Sequence, residues 1–172
     1  MPDMLVKLYT LPPISLDKLT ASGIEIRQAW PSEKRPIAEW VGRHFNSVWA
    51  AECEAAIEQR PVTCYIAIQK EQRETSSSDP YDLPKEKLLG FACYDATHKG
   101  MFGPTGVHEN YRQYGIGKAL LLTCLHAMAA QRYAYAVIGW VGPAEFYAKA
   151  VGATIIEGSE PGIYHGPLSI DL

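Results

Sequence analysis

Apolar positions along this chain recur with two different periods, and the switches between them mark out its elements. Ile24-Glu25-Ile26-Arg27-Gln28-Ala29 alternates apolar and polar residues, which predicts a half-buried strand. Pro31 and Pro36 then mark a helix entry, after which Ile37, Trp40, Val41, His44 and Phe45 fall at i, i+3, i+4, i+7 and i+8 and form one apolar stripe. A second helix is expected to open with Ser47 as its cap and to run to Arg60, where Pro61 stops it. Val62 to Gln69 is rich in β-branched and aromatic residues and reads as a strand. Leu88 to Ala96 and Met101 to Val107 read as two more, joined near His98-Lys99-Gly100. From Ile116 to Arg132 the period changes to that of a helix, with Ile116, Leu120, Cys124 and Met128 repeating every four residues. Ala134 to Trp140 is nearly all apolar and lies between helices, so it is expected inside the sheet. Pro143 suits the first turn of a further helix to Ala150, closed near Gly152. Ala153 to Glu157 and the stretch Gly162 to Ile170 are the remaining strand candidates.

Glu71 to Lys87, with Ser76-Ser77-Ser78-Asp79-Pro80 at its centre, is too polar to enter a core and reads as a long hairpin loop. No internal repeat or linker divides the chain, and 172 residues suit one domain, here 1–172 with its core at about 24–157. A hydrophobic share of 47% with 20% charged residues is that of an ordinary globule. The net charge of −3 argues against nucleic acid as the main partner, which would need clustered Lys and Arg. Cys53, Cys64, Cys93 and Cys124 are widely spaced within apolar segments, so they read as reduced core residues rather than a zinc site. Met1 to Pro13 lacks the basic start and apolar run of a signal peptide. The apolar stretch Ala119 to Ala130 is far short of the roughly 20 residues that cross a bilayer, so a cytoplasmic protein with no membrane partner is expected.

The candidate chemistry lies in Arg112-Gln113-Tyr114-Gly115-Ile116-Gly117, between a strand and a helix. Two glycines two apart let several backbone N–H groups converge, and the helix that follows adds its positive end. Such a loop can hold a pyrophosphate. A nucleoside-triphosphate loop would need Lys followed by Ser or Thr, but Lys118 is followed by Ala119. A dinucleotide fingerprint would need a third glycine where Leu120 stands, at the first strand–helix turn of the fold. Neither pattern is met.

The segment Val107 to Leu120 instead resembles the acetyl-CoA loop of the GNAT N-acetyltransferase superfamily, [RQ]-x-x-G-x-[GA] between a strand and a helix. Phe146-Tyr147 and Val151-Gly152-Ala153 resemble that family's F-Y-x-K-x-G-F segment, and the order of elements is also similar. The resemblance implies an α/β (α+β) fold with a mixed, mostly antiparallel sheet and flanking helices. It implies acetyl transfer from acetyl-CoA to a primary amine of a small molecule by direct attack in a ternary complex, without a metal. Thr105, Gly106, Val107, Arg112, Gln113, Tyr114, Gly115, Ile116, Gly117 and Lys118 would bind the cofactor, with a backbone N–H near Thr105 polarising the thioester carbonyl. Tyr147 would be the catalytic acid that protonates the departing thiolate. A homodimer is left open, as is a non-catalytic acetyl-CoA-binding module.

Departures from the family pattern are informative. Trp140-Val141-Gly142-Pro143 lacks the Asn that often bonds the cofactor arm, and Met101-Phe102-Gly103-Pro104 carries no titratable base. A water relayed from Glu25, Glu33, Asp95 or His98 is the expectation for that role. His44, His126 and His165 match no motif and read as ordinary amphipathic or surface residues. For the acceptor, Glu33, Glu39, Glu52, Glu54, Glu58, Asp79 and Asp82 beside Trp30, Trp40 and Trp49 suit a small cationic amine, although solvated helix faces account for the same residues.

Overall fold

The alternating and apolar runs pair into one seven-stranded sheet in the computed structural model, which describes residues 1–71, 83–166 and 168. The strands are β1 (Met4–Lys7), β2 (Ile24–Gln28), β3 (Cys64–Lys70), β4 (Glu86–Tyr94), β5 (Met101–Val107), β6 (Tyr135–Ile138) and β7 (Thr154–Ile155), in the spatial order β2-β3-β4-β5-β6-β1-β7. All neighbours run antiparallel except β5 and β6. The helices are α1 (Asp17–Ala21), α2 (Lys34–His44), α3 (Ser47–Glu58), α4 (Ile116–Ala130) and α5 (Ala144–Val151). The mixed sheet with flanking helices agrees with expectation.

Two apolar cores, one on each face of the sheet, make this a three-layer structure. On one face Ile37 and Val41 of α2 and Cys53, Ala56 and Ile57 of α3 pack on Ile66, Ile68 and Phe91. On the other, α4 buries Ile116, Leu120, Leu121, Leu125 and Met128, joined by Tyr147 and Val151 of α5. Each such aliphatic side chain contributes about 1.5–3 kcal/mol when fully removed from water. The anticipated stripe on α4 is therefore core, yet Leu121 and Leu125 beside it are equally buried. The segment after β1 covers that outer side, where Pro12 O bonds the His126 ring at 2.8 Å.

Three local expectations change. The cap of α3 is Asn46, whose Oδ1 accepts the Trp49 N–H at 2.9 Å from an extended backbone, so Ser47 is already helical. Gly162 to Gly166 forms no strand, and residues 167, 169 and 170 of that candidate lie outside the described residues. Most of the polar hairpin loop, 72–82, does too; its stems reach further than expected, to Lys70 opposite Glu86. At that end Arg27 bonds both Glu33 and Glu86 at 2.6 Å. Burial alone would raise the Glu33 carboxyl, but the guanidinium holds it below its ordinary value.

The addition is β1. Met4 and Val6 are buried, and the strand slots between β6 and β7 with Met4 opposite both Ile138 and Ile155. Cys53, Cys64 and Cys93, distant in sequence, bring their Sγ atoms within 4.8 Å of one another under α3. Such a trio could ligate a soft ion. It lies among Ile57, Ile66 and Phe91, where burial pushes the Cys93 thiol well above its ordinary pKa.

Candidate active site

The parallel pair β5–β6 does not stay paired. Only Met101 opposite Val137 and Phe102 opposite Ile138 are in register; beyond them the strands part. Backbone geometry gives the reason. Gly103 has φ +127°, which only glycine adopts without strain, and Pro104 has no N–H to offer a ladder. On the opposite side β1 draws the chain after Ile138 away from β5: Pro2 O accepts the Val141 N–H at 3.0 Å, and the buried Asp3 carboxylate accepts the Trp140 N–H, also at 3.0 Å. This bond holds Trp140 at φ +46°. The result is a wedge-shaped cleft of about 640 Å³ between β5 and the segment 138–143.

At the open end of the wedge, β5 runs into a 3₁₀ turn, Glu109–Tyr114, then into Gly115 at φ +80° and the start of α4. His108 caps that turn by accepting the Asn110 N–H on Nδ1, and Arg112 Nε ties the loop back to Val107 O at 3.2 Å. No side chain caps the first turn of α4, so its amide N–H groups are free to meet an anion at the positive end of a 15-residue helix. Thr105, Gly106, Val107, Arg112 and Gly117 all line the cleft. Gln113, Tyr114, Gly115, Ile116 and Lys118 do not. Gln113 and Tyr114 are exposed, Ile116 turns its side chain wholly into the core, and Lys118 faces a separate hollow with Lys7 and Lys149. These five offer the cleft backbone at most.

Tyr147 reaches the cleft from α5, which ends on Gly152 in the left-handed conformation at φ +65° as expected. The side chain is 8% exposed and meets the Phe146 ring edge-on at 5.0 Å. Burial raises its pKa, which keeps the phenol protonated and able to donate. The four candidates for a relayed base are all directed elsewhere. Glu25 pairs with Lys70 and Glu33 with Arg27, while Asp95 accepts the Gly100 N–H and the Tyr133 hydroxyl, each at 2.7 Å. His98 is exposed in the β4–β5 turn, and none of the four lines the cleft.

The far wall is aromatic. Phe45 and Trp49, at the α2–α3 junction, reach over β5 into the cleft, together with Phe102, Trp140 and Phe146. A Cβ placed on Gly106 would lie 2.4 Å from the Phe45 ring, so this glycine is what admits the ring against the strand. Gly106→Ala should destabilise the fold by about 1–3 kcal/mol, as overpacked sites do. In a Phe45→Ala background that penalty should largely vanish, a coupling measurable by denaturant unfolding of the four proteins. Phe45 belongs to the amphipathic stripe of α2, and the stripe does not signal that its last member leaves the core for a cleft.

With this geometry in view, the chain belongs to the acetyltransferase (GNAT) family, whose model matches residues 34–152. Members of this family take acetyl-CoA as cosubstrate. Among solved structures the fold is similar to the GCN5-related glucosamine N-acetyltransferase region of a fungal multi-domain GH3 β-N-acetylglucosaminidase, at 13% identity and a TM-score of 0.66 over 90% of this chain and 19% of that one. A GCN5-related N-acetyltransferase from Sphaerobacter thermophilus matches at 20% identity and a TM-score of 0.59, over 90% and 48% of the two chains. A Drosophila protein matches at 13% and 0.57, over 90% and 47%. The chain thus spans less than half the length of each of these proteins. No curated protein matches it significantly. Among the described residues no helix is long and apolar enough to cross a membrane.

Proposed function

We propose that the protein moves the acetyl group of acetyl-CoA to a primary amine of a small molecule, by direct attack of the amine on the thioester. The observation that carries this reading is the parted β5–β6 pair, with an uncapped helix start at one end of the cleft and a buried phenol on its wall. The residues fit the cosubstrate. The N–H groups of Arg112 to Gly117 would hold its pyrophosphate, since Gly115 already supplies the left-handed turn that aims them. The free edge of β5 from Thr105 to Val107 would pair with the pantetheine arm as a strand would, and an N–H near Thr105 would polarise the carbonyl. Tyr147 would hold its proton until sulfur departs and then deliver it, while the proton shed by the attacking nitrogen would pass to bulk water at the cleft mouth.

Direct attack is favoured over an acyl-enzyme because all four cysteines are buried and none lines the cleft. The test is thiol release from acetyl-CoA in the presence of a panel of primary amines, with the acetylated product identified by mass. Turnover that requires an amine is expected. Tight acetyl-CoA binding with no acetylated product from any amine would instead leave an acetyl-CoA-binding module.

A further inference from the structure

Three of the four cysteines, far apart in sequence, converge on one point of the fold. Cys64 opens β3 and Cys93 stands directly opposite it on β4, so both side chains emerge from the same face of the sheet. That face is the one α2 and α3 cover, and Cys53 comes down onto it from the middle of α3. The three Sγ atoms lie within 4.8 Å of one another, with those of Cys53 and Cys93 at 3.6 Å. An ion bound to three sulfurs in one plane at about 2.3 Å holds them about 4.0 Å apart, so the trio is spaced to receive one with little movement. All three residues are 0% exposed, and none lines the cleft. The fourth cysteine, Cys124, is buried in the core on the other face of the sheet.

We propose that Cys53, Cys64 and Cys93 form a three-sulfur site for a soft monovalent cation of the copper(I) class, which ties α3 to the sheet. Sulfur ligands select soft ions. Structural zinc almost always takes four ligands, and Ile57, Ile66 and Phe91 around the trio offer no fourth. A monovalent ion also suits apolar surroundings, because one thiolate among the three sulfurs makes the assembly neutral. A single thiol proton passes to solvent as the ion binds. The ion enters when α3 lifts off the sheet, and once bound it joins that helix to β3 and β4 by bonds as well as by packing. Trp49 stands on the same helix, so the clamp also fixes that wall of the cleft.

Copper(I) supplied as its coloured bathocuproine disulfonate complex tests the site in the reduced full chain, under argon. The wild type should withdraw one copper(I) per chain, read as loss of the complex's colour. Its Tm should rise, because an ion that binds the folded state stabilises it. Cys53→Ala, Cys64→Ala and Cys93→Ala should each weaken binding by more than about a hundredfold, beyond the cost of losing an outer-shell partner. Cys124→Ala should bind as the wild type does. X-ray absorption at the copper edge of the loaded wild type depends on no variant folding, and should show three sulfur neighbours. No withdrawal, a falling Tm or a shell of fewer than three sulfurs overturns the proposal, as does a Cys124→Ala protein with the same defect as Cys93→Ala.

Discussion

Tyr147→Phe is expected to lower kcat by roughly 10² to 10⁴ while leaving acetyl-CoA affinity nearly unchanged. The substitution removes one oxygen from a side chain that is 8% exposed, and Phe retains its edge-on contact with Phe146. A thiolate departing into an apolar cleft without a proton would carry its charge into surroundings that solvate it poorly, which is where the loss of rate arises. The direction of the pKa shift adds a second signature. Burial raises the phenol above its ordinary value near 10, so the acid form persists throughout the neutral and mildly alkaline range. In the wild type, kcat should therefore fall on the alkaline side only above about pH 10, as the phenol ionises. That limb should be missing from Tyr147→Phe. Single-turnover rates measured across pH, with calorimetry for binding, separate the outcomes; a Phe variant turning over at the wild-type rate would make Tyr147 a packing residue.

Local pattern carried the reading of this chain a long way, and its gaps have a common cause. The period-two and period-four runs placed β2 through β6 and α2 through α5 because each element buries a face that its own residues announce. The glycine loop and Tyr147 were legible for the same reason: their residue types are tied to conformations and chemistry within a few positions. What escaped depends on partners far away. β1 has four residues, too few for a period to emerge, and its partners Ile138 and Ile155 lie more than a hundred positions on. That strand helps open the cleft, since Pro2 and Asp3 hold the segment after β6 away from β5. The same holds for the walls. Phe45 meets Gly106, a contact that only the folded sheet creates. Among the carboxylates that composition could only group together, the fold pairs Glu33, Glu39 and Glu58 with cations and bonds Glu52 to the Thr97 hydroxyl. The aromatic residues divide in the same way: Trp49 lines the cleft, whereas Trp30 is 63% exposed to solvent.

Replacing Gly117 with Glu should cost at least about a hundredfold in CoA affinity, near 3 kcal/mol, with the fold retained. The position allows a side chain without strain. A Cβ on Gly117 would meet only Val107 Cγ2, at 3.8 Å, which is ordinary contact, and its backbone is already helical. The penalty must therefore come from what the new side chain does in the cleft that Gly117 lines. A carboxylate in the first turn of α4 would fold back onto the uncapped N–H groups and satisfy them, and helices favour acidic residues there. It would also set a negative charge against the pyrophosphate and occupy the space its oxygens need. Stability should thus hold or rise slightly while affinity collapses, an opposition that a merely damaged fold cannot produce. Gly115→Ala makes the contrast, because its φ of +80° strains any side chain, so loop order and affinity should fall together there. Thermal unfolding alongside CoA calorimetry reads both quantities, and a folded Gly117→Glu protein with wild-type CoA affinity would place the pyrophosphate somewhere other than the start of α4.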